Sequence, residues 1–508
     1  MPTWPAFTLF MSTDPSRRRT AWFALALLLA GGAAQAETVL FPFDDYSLPF
    51  NKGLRLELVP GSKDRADRGP DAASRGPRGP VMPPGKPGDP DYPRLYYVGT
   101  VIHIGDEYRM WYTSWDEKAK RQVCYAVSKD GIHWDRPKLG LTEYKGGTAN
   151  NLVEIDGKGP IIAATSWVLY EPEDPNPDRR FKMMWEPDPS HISAGYSPDG
   201  LHWKSSPGNP IIRETSTEPS GLIKFDGIYY LNGHGGPIPH PVAGTKKRMM
   251  VTYASYDFDH WTTAGHISFR RDNTPPRPPG DFEGHRGEQV HLGASLWNRG
   301  NVVIGFYGQY HNDTNDRRTS RADIGLIVSH DAIHFSEPVP DFKIIPSAEE
   351  PDNAEARLIQ GQGFENIGDR TFVWYGIWVA DNPNGPTGVR LATWARDRLG
   401  YFAPPPRMKD AHCLSCPLAP GRDGRIFINA DGLSAAGRLK VEILDDRFVP
   451  VPGYSGADAV PLVASGLRMP VSWRQGGTLP ARSRPIRVRV SWEGADADLA
   501  RLYAVYVD

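Results

Sequence analysis

The stretch VSKDGIHW at residues 127–134 decides the fold, because the chain returns to it: YSPDGLHW at 196–203, ASYDFDHW at 254–261, VSHDAIHF at 328–335 and, degraded, WARDRLGY at 394–401. Each copy is a small or β-prone residue, often Ser, a variable residue, Asp, a three-residue turn and an aromatic. The aspartates are Asp130, Asp199, Asp257, Asp331 and Asp397, so successive copies lie 69, 58, 74 and 66 residues apart. In such a phrase the carboxylate accepts main-chain N–H groups of its own turn, Gly takes the φ > 0 position and the aromatic packs between units. These aspartates read as turn formers, not catalysts.

Upstream of each phrase sits a β-prone aromatic run: YRMWY at 108–112, FKMMW at 181–185, IYYLN at 228–232, VVIGFYG at 302–308 and FVWYG at 372–376. Each unit therefore carries two strands, the Asp turn and a third strand led by an aromatic, with no long helical periodicity between them. A small sheet that cannot bury both faces alone needs neighbours, and radial repetition closes the set. Five units predict a five-bladed β-propeller over residues 91–406. After Pro404, Pro405 and Pro406 the pattern changes to period-two alternation in GRLKVEIL (437–444), RPIRVRVSW (484–492) and RLYAVYVD (501–508). Half-buried antiparallel strands of this kind predict a C-terminal β-sandwich over 407–508.

Ahead of the first unit, Arg17, Arg18 and Arg19 precede an apolar run and Ala34-Gln35-Ala36, the order of a secretory signal cleaved after Ala36. Residues 1–36 are thus expected to be a signal peptide, and the protein secreted or periplasmic. Residues 37–90 are expected to be an N-terminal extension whose Gly/Pro-rich stretch, 61–90, buries little apolar surface. No later run reaches the roughly 20 apolar residues of a membrane span. The 508-residue chain has a formal charge of −2 with dispersed basic residues, which offers no nucleic-acid footprint. Its 15 Trp and 21 Tyr suit sugar stacking and a propeller core alike. Of three cysteines, Cys124 falls in a predicted strand as a buried thiol; Cys413 and Cys416 form a lone C-x-x-C, a local disulfide or two quiet thiols rather than a zinc site.

Chemistry belongs where the innermost strands of several blades converge on the axial channel. The third unit offers EPSGLIKFDGIYY at 218–230, with Glu218 nine residues before the Gly of a turn leading into paired tyrosines. This segment resembles the five-bladed propeller glycosidases, glycoside hydrolase families 32, 43 and 68, which place a general-acid Glu here before an apolar strand and an Asp/Asn-Gly turn. Five repeats followed by a sandwich look like the family 32 layout. The resemblance implies a carbohydrate substrate, no cofactor, and Glu218 as proton donor to the leaving-group oxygen. It also implies an Asp on the inner strand of the first unit and another in the second, yet residues 98–102 (VGTVI) and 165–168 (TSWV) carry none.

Glycoside hydrolysis normally uses two carboxyl groups, one protonated and one ionised. Glu288, ahead of the fourth unit's strand pair, is the expected partner, with Asp44, Asp45 and Asp91 as rivals. Trp167 is a candidate for stacking on a sugar face; His234, His291, Gln360 and Gln362 are candidate donors to hydroxyls, with glycines beside them; Arg286 suits a carboxylate or sulfate. The leading expectation is an exported glycoside hydrolase that attacks a chain end, since the axial pocket is narrow. Two alternatives stand beside it: a sugar-binding propeller without catalysis, and metal-assisted lyase or hydrolase chemistry at His234, His285 and His291 with Glu288.

Overall fold

The computed structural model describes residues 37–62, 79–213, 217–239, 246–271, 286–349, 357–378, 387–421, 423–480 and 484–508, side chains excepted at 236–239 and 246–247. The expected signal peptide, most of the Gly/Pro-rich stretch and His285 lie outside these residues. Regular structure in the described chain is strand throughout, apart from single turns of 3-10 helix. No helix there is long and apolar enough to cross a membrane.

Five antiparallel meanders follow one another, here called sheets I to V. Their first two strands are Pro93–Ile104 with Glu107–Asp116, Ser166–Tyr170 with Phe181–Asp188, Thr217–Phe225 with Ile228–Pro239, Gly287–Asn298 with Val303–Asn312, and Arg357–Ile367 with Arg370–Trp378. The first strands adjoin in the cyclic order I, II, III, IV, V and back to I. Side chains stitch that ring: the Val168 N–H donates to Thr100 Oγ1 at 3.0 Å, and Asn232 exchanges two hydrogen bonds with the main chain of Ala294, each 2.8 Å. Thr100 also opposes Gln362 in a parallel bridge that joins sheet V to sheet I.

The repeated phrase forms the turn its sequence predicts and ties sheets together as well. In the first copy the N–H groups of Ile132 and His133 each donate to Asp130 Oδ1 at 2.8 Å, and the Gly131 N–H donates to Ser128 Oγ at 2.8 Å. The His133 ring adds a bond to Asp130 Oδ2 at 2.7 Å, and the second, third and fourth copies repeat it. Gly131 is required twice over: its φ is 75°, and Trp374 of sheet V donates Nε1–H to its carbonyl at 2.8 Å, so close that a Cβ would lie 2.7 Å from the indole. Gly200 of the second copy stands in the same relation to Trp111 of sheet I.

The fifth copy departs from this plan. Asp397 is fully buried and binds Arg299 of sheet IV, Asn366 of sheet V and Tyr506 near the C-terminus instead of its own turn. Sheet V takes its outer edge from the N-terminal segment: Ser62 bridges Thr393, and Trp394 Nε1–H donates to the Val59 carbonyl at 2.8 Å.

Two further sheets follow. One includes Ile426–Asp431 and Arg501–Val507, the other Arg438–Asp445 and Ile486–Glu493. Their inward residues, among them Ile428, Val505, Val441 and Val490, form one apolar core, as the period-two alternation predicts. The N-terminal segment is woven into both. Thr38–Leu40 pairs with Arg501–Val507, Phe50–Lys52 with His412–Leu414, and Arg55–Leu58 with Gly400–Ala403. Runs of three or four residues are too short to show a period, which is why the sequence predicts no strand in this part of the extension. All three cysteines are free thiols.

Candidate active site

The ring of first strands surrounds a cavity of about 220 Å³ to which all five sheets contribute. Tyr96, Val98, Trp115 and Arg121 come from sheet I, Glu186 from sheet II with Thr165 just ahead of its first strand, and Glu218 and Arg248 from sheet III. Sheet IV adds His291, Leu292 and, from a turn, Arg317; sheet V adds Ile359 and Trp378. Four of the five first strands break register at this level, between Tyr96 and Thr100, Pro219 and Gly221, His291 and Ala294, and Gln360 and Phe364. Such breaks bend a strand and re-aim its side chains.

Glu218 lies opposite His234 in a hairpin closed at Asp226 and Gly227, whose φ values of 48° and 79° are those of a type I′ turn. Gly233 lets the hairpin close around the glutamate: a Cβ there would sit 2.1 Å from the Glu218 carbonyl oxygen. His234 is held from sheet IV, where the Leu292 N–H donates to its Nδ1 at 2.7 Å. An accepting Nδ1 assigns the ring proton to Nε2, and burial pushes the imidazole well below the usual histidine range. A neutral ring therefore faces Glu218, Nε2 to Oε2 at 3.7 Å, beyond hydrogen-bond range.

Glu186 supplies the second carboxyl of the cavity. Its N–H donates to the Thr165 carbonyl at 3.1 Å and its own carbonyl accepts from the Ala164 N–H at 2.8 Å, which fixes the backbone. The residue is 4 % exposed, and its Oε2 is buried with no hydrogen-bond partner. Burial, and then the negative charge of Glu218, push its pKa up to about 8 against the opposing pull of Arg121. At neutral pH Glu186 holds a proton, while the Glu218 side chain beside it is half-exposed. Two carboxyls with such different surroundings are what acid–base work on one substrate requires.

His291 has its Nδ1 buried and unpartnered, and burial followed by the charge of Arg248 drives its pKa well down, so it also faces the cavity neutral. Partly exposed Trp115 and Trp378 form aromatic walls.

Several residues expected at the site serve the fold instead. Glu288 does not line the cavity: its Oε2 lies 2.9 Å from Arg271 Nη1 and its Oε1 binds the His311 ring. Three positions before His291 on a regular stretch of strand, it points to the opposite face. Trp167 is fully buried in the main core and cannot stack on a ligand. The Gln360 amide nitrogen donates to the carbonyls of His291 and Gly293 and to Ser220 Oγ, and Gln362 clasps both main-chain groups of Leu222, so these amides hold neighbouring strands together. Arg286 is exposed and outside the lining. Of the rival carboxylates, Asp44 accepts from the Tyr46 and Ser47 N–H groups and pairs with His330, Asp91 binds Arg136 and Tyr112, and Asp45 is exposed. Glu218, His234 and His291 are the expected residues that do come together. Among the described residues no group of three His, Cys, Asp or Glu side chains converges in a way that would hold a metal ion.

No family model and no curated protein matches the chain. Solved structures do. One is a glycosyl hydrolase from Bacteroides ovatus, 14% identical, covering 67% of this chain and 95% of that one with a TM-score of 0.39. A second, from work on the GH130 family of mannoside phosphorylases and its hydrolases that target beta-1,2 mannosidic linkages in Candida mannan, is 15% identical, covers 66% and 95%, and has a TM-score of 0.38. A third is a glycoside hydrolase family 43 arabinoxylan arabinofuranohydrolase from Bacillus subtilis in complex with cellotetraose, 11% identical, covering 84% and 98% with a TM-score of 0.39. Superposition this loose decides neither reaction nor substrate, which are argued from the cavity.

Glu186, Arg121 and Arg248 escape a sequence reading. The aromatic run at 181–185 stops one residue short of Glu186, and the carboxylate sought near 165–168 stands across from Thr165 on the neighbouring strand. One signal was present, a glutamate directly following the apolar run Met183-Met184-Trp185 on one strand.

Proposed function

We propose that the chain is an exported glycoside hydrolase, a five-bladed β-propeller closed by a C-terminal β-sandwich, that acts on a terminal sugar held in the central cavity. The observation that carries this reading is a pair of carboxyl residues lining one cavity to which all five sheets contribute: Glu186, whose burial pushes its pKa up to about 8, and half-exposed Glu218. The acid role expected of Glu218 passes to Glu186, because a group that must donate a proton near neutral pH needs a raised pKa. Glu186 Oε2, free of other partners, protonates the departing glycosidic oxygen as the bond to the anomeric carbon breaks. Glu218 meets the positive charge that develops there, as nucleophile or as base to water. The aromatic walls hold the ring, and a space of about 220 Å³ fits one terminal unit, which favours attack from a chain end. The leader at residues 1–36 supports export.

The test is release of monosaccharide from a broad panel of oligosaccharides by the wild type, Glu186→Gln and Glu218→Gln. Loss of about 100-fold or more in each variant supports the pair. Undiminished hydrolysis by either removes that residue from the chemistry, and silence from the wild type across the panel counts against a hydrolase.

A further inference from the structure

The geometry points to an acidic sugar residue as the occupant of the cavity, its carboxylate gripped by Arg248 and Arg121; this rests on reading the cavity as a saccharide site. Three guanidinium groups line it, from Arg121, Arg248 and Arg317, against the two carboxyls of Glu186 and Glu218. Among the described residues of the lining, guanidinium groups outnumber carboxyls by three to two.

Arg248 carries the argument furthest. Its Nη1 is buried and has no hydrogen-bond partner, while its guanidinium stands 5.6 Å from the centre of the Tyr310 ring. A buried charged donor without an acceptor is costly, and the planar fork of arginine matches a carboxylate with two parallel bonds. Arg121 stands over the Trp115 ring at 4.3 Å and lines the same space. The unpartnered Nδ1 of neutral His291 adds a hydrogen-bonding atom for a hydroxyl of the same ring. None of the arginines belongs to a repeated phrase, so turn chemistry does not explain them.

The experiment is calorimetric titration of the full chain with glucuronate and galacturonate, with glucose and galactose as neutral counterparts, and with inorganic phosphate alone. Uronates are expected to bind about tenfold or more tightly than the matching neutral sugars, the size of one charge-assisted contact. Arg248→Gln should abolish that preference, and so should exposed Arg121→Gln, whose fold is the less at risk. Equal affinity for uronate and neutral sugar overturns the inference, as does binding of phosphate without uronate. Uronate binding without turnover of any glycoside supports the acidic ligand and sinks the hydrolase reading; turnover of neutral glycosides with no preference for uronides does the reverse.

Discussion

Glu186 makes a prediction separable from activity. In the unfolded chain a glutamate loses its proton near pH 4.3, whereas here it keeps it up to about 8. Between those values the folded state binds more protons than the unfolded, so the contribution of this residue to stability falls as pH rises and reaches its full penalty above about 8. Glu186→Gln has nothing to ionise. Denaturant unfolding of the two proteins from pH 5 to 9 should show the variant gaining on the wild type as pH rises; parallel curves would mean that Glu186 ionises normally. On the proposed chemistry, the penalty is the cost of holding an acid ready for substrate.

At the scale of elements, the Asp turns were legible because their chemistry is local. Burial works against ionisation of Asp331, yet the amide and ring of His334, the Ile333 amide and Ser329 overcome it and hold its pKa down to about 2. That stabilisation is present above the unfolded value near 3.9 and is lost as pH falls through about 2. Replacing Asp331 by Ala should cost about 1–2 kcal/mol at neutral pH, read by chemical denaturation, and nothing further below pH 2. The clasp between sheets was not legible, since it depends on which indole meets which turn. Gly131→Ala and Gly140→Ala both meet a φ of 75°, but only at Gly131 would the new methyl strike Trp374. The first should therefore destabilise by several kcal/mol and the second by about 1; equal losses would refute the clasp.

Over the whole molecule, the segment that follows Glu37, the C-terminal strand and the last repeat tie the sheets together. Asp397 reads as a worn turn in sequence, because its phrase keeps Asp and Tyr while losing Ser and His. In place of those local partners it gathers Arg299, Asn366 and Tyr506, and burial, which opposes its charge, is outweighed by Arg299, so its pKa lies below the usual range. Asp397→Ala strands a buried guanidinium and should cost about 3–5 kcal/mol, measurable as a lowered denaturation midpoint. The same distinction separates what was readable at the site from what was not. Glu218 could be found because its hairpin carries a sequence signal, the Asp-Gly turn, whereas the register breaks that aim four inner strands, and the pairing that sets Glu186 across from Thr165, have no turn motif to announce them. Gln360 and Gln362 misled for that reason: their glycines suggested an open approach, but neighbouring sheets fill it.

One measurement reaches the centre of this account: the titration of the Glu186 carboxyl, followed by carbon NMR of the chain labelled at glutamate and assigned against Glu186→Gln. A single resonance changing near pH 8 and missing from the variant is the predicted result. A Glu186 signal that titrates with the ordinary carboxylates, near pH 4–5, would contradict the assignment of acid and partner on which the proposed chemistry stands.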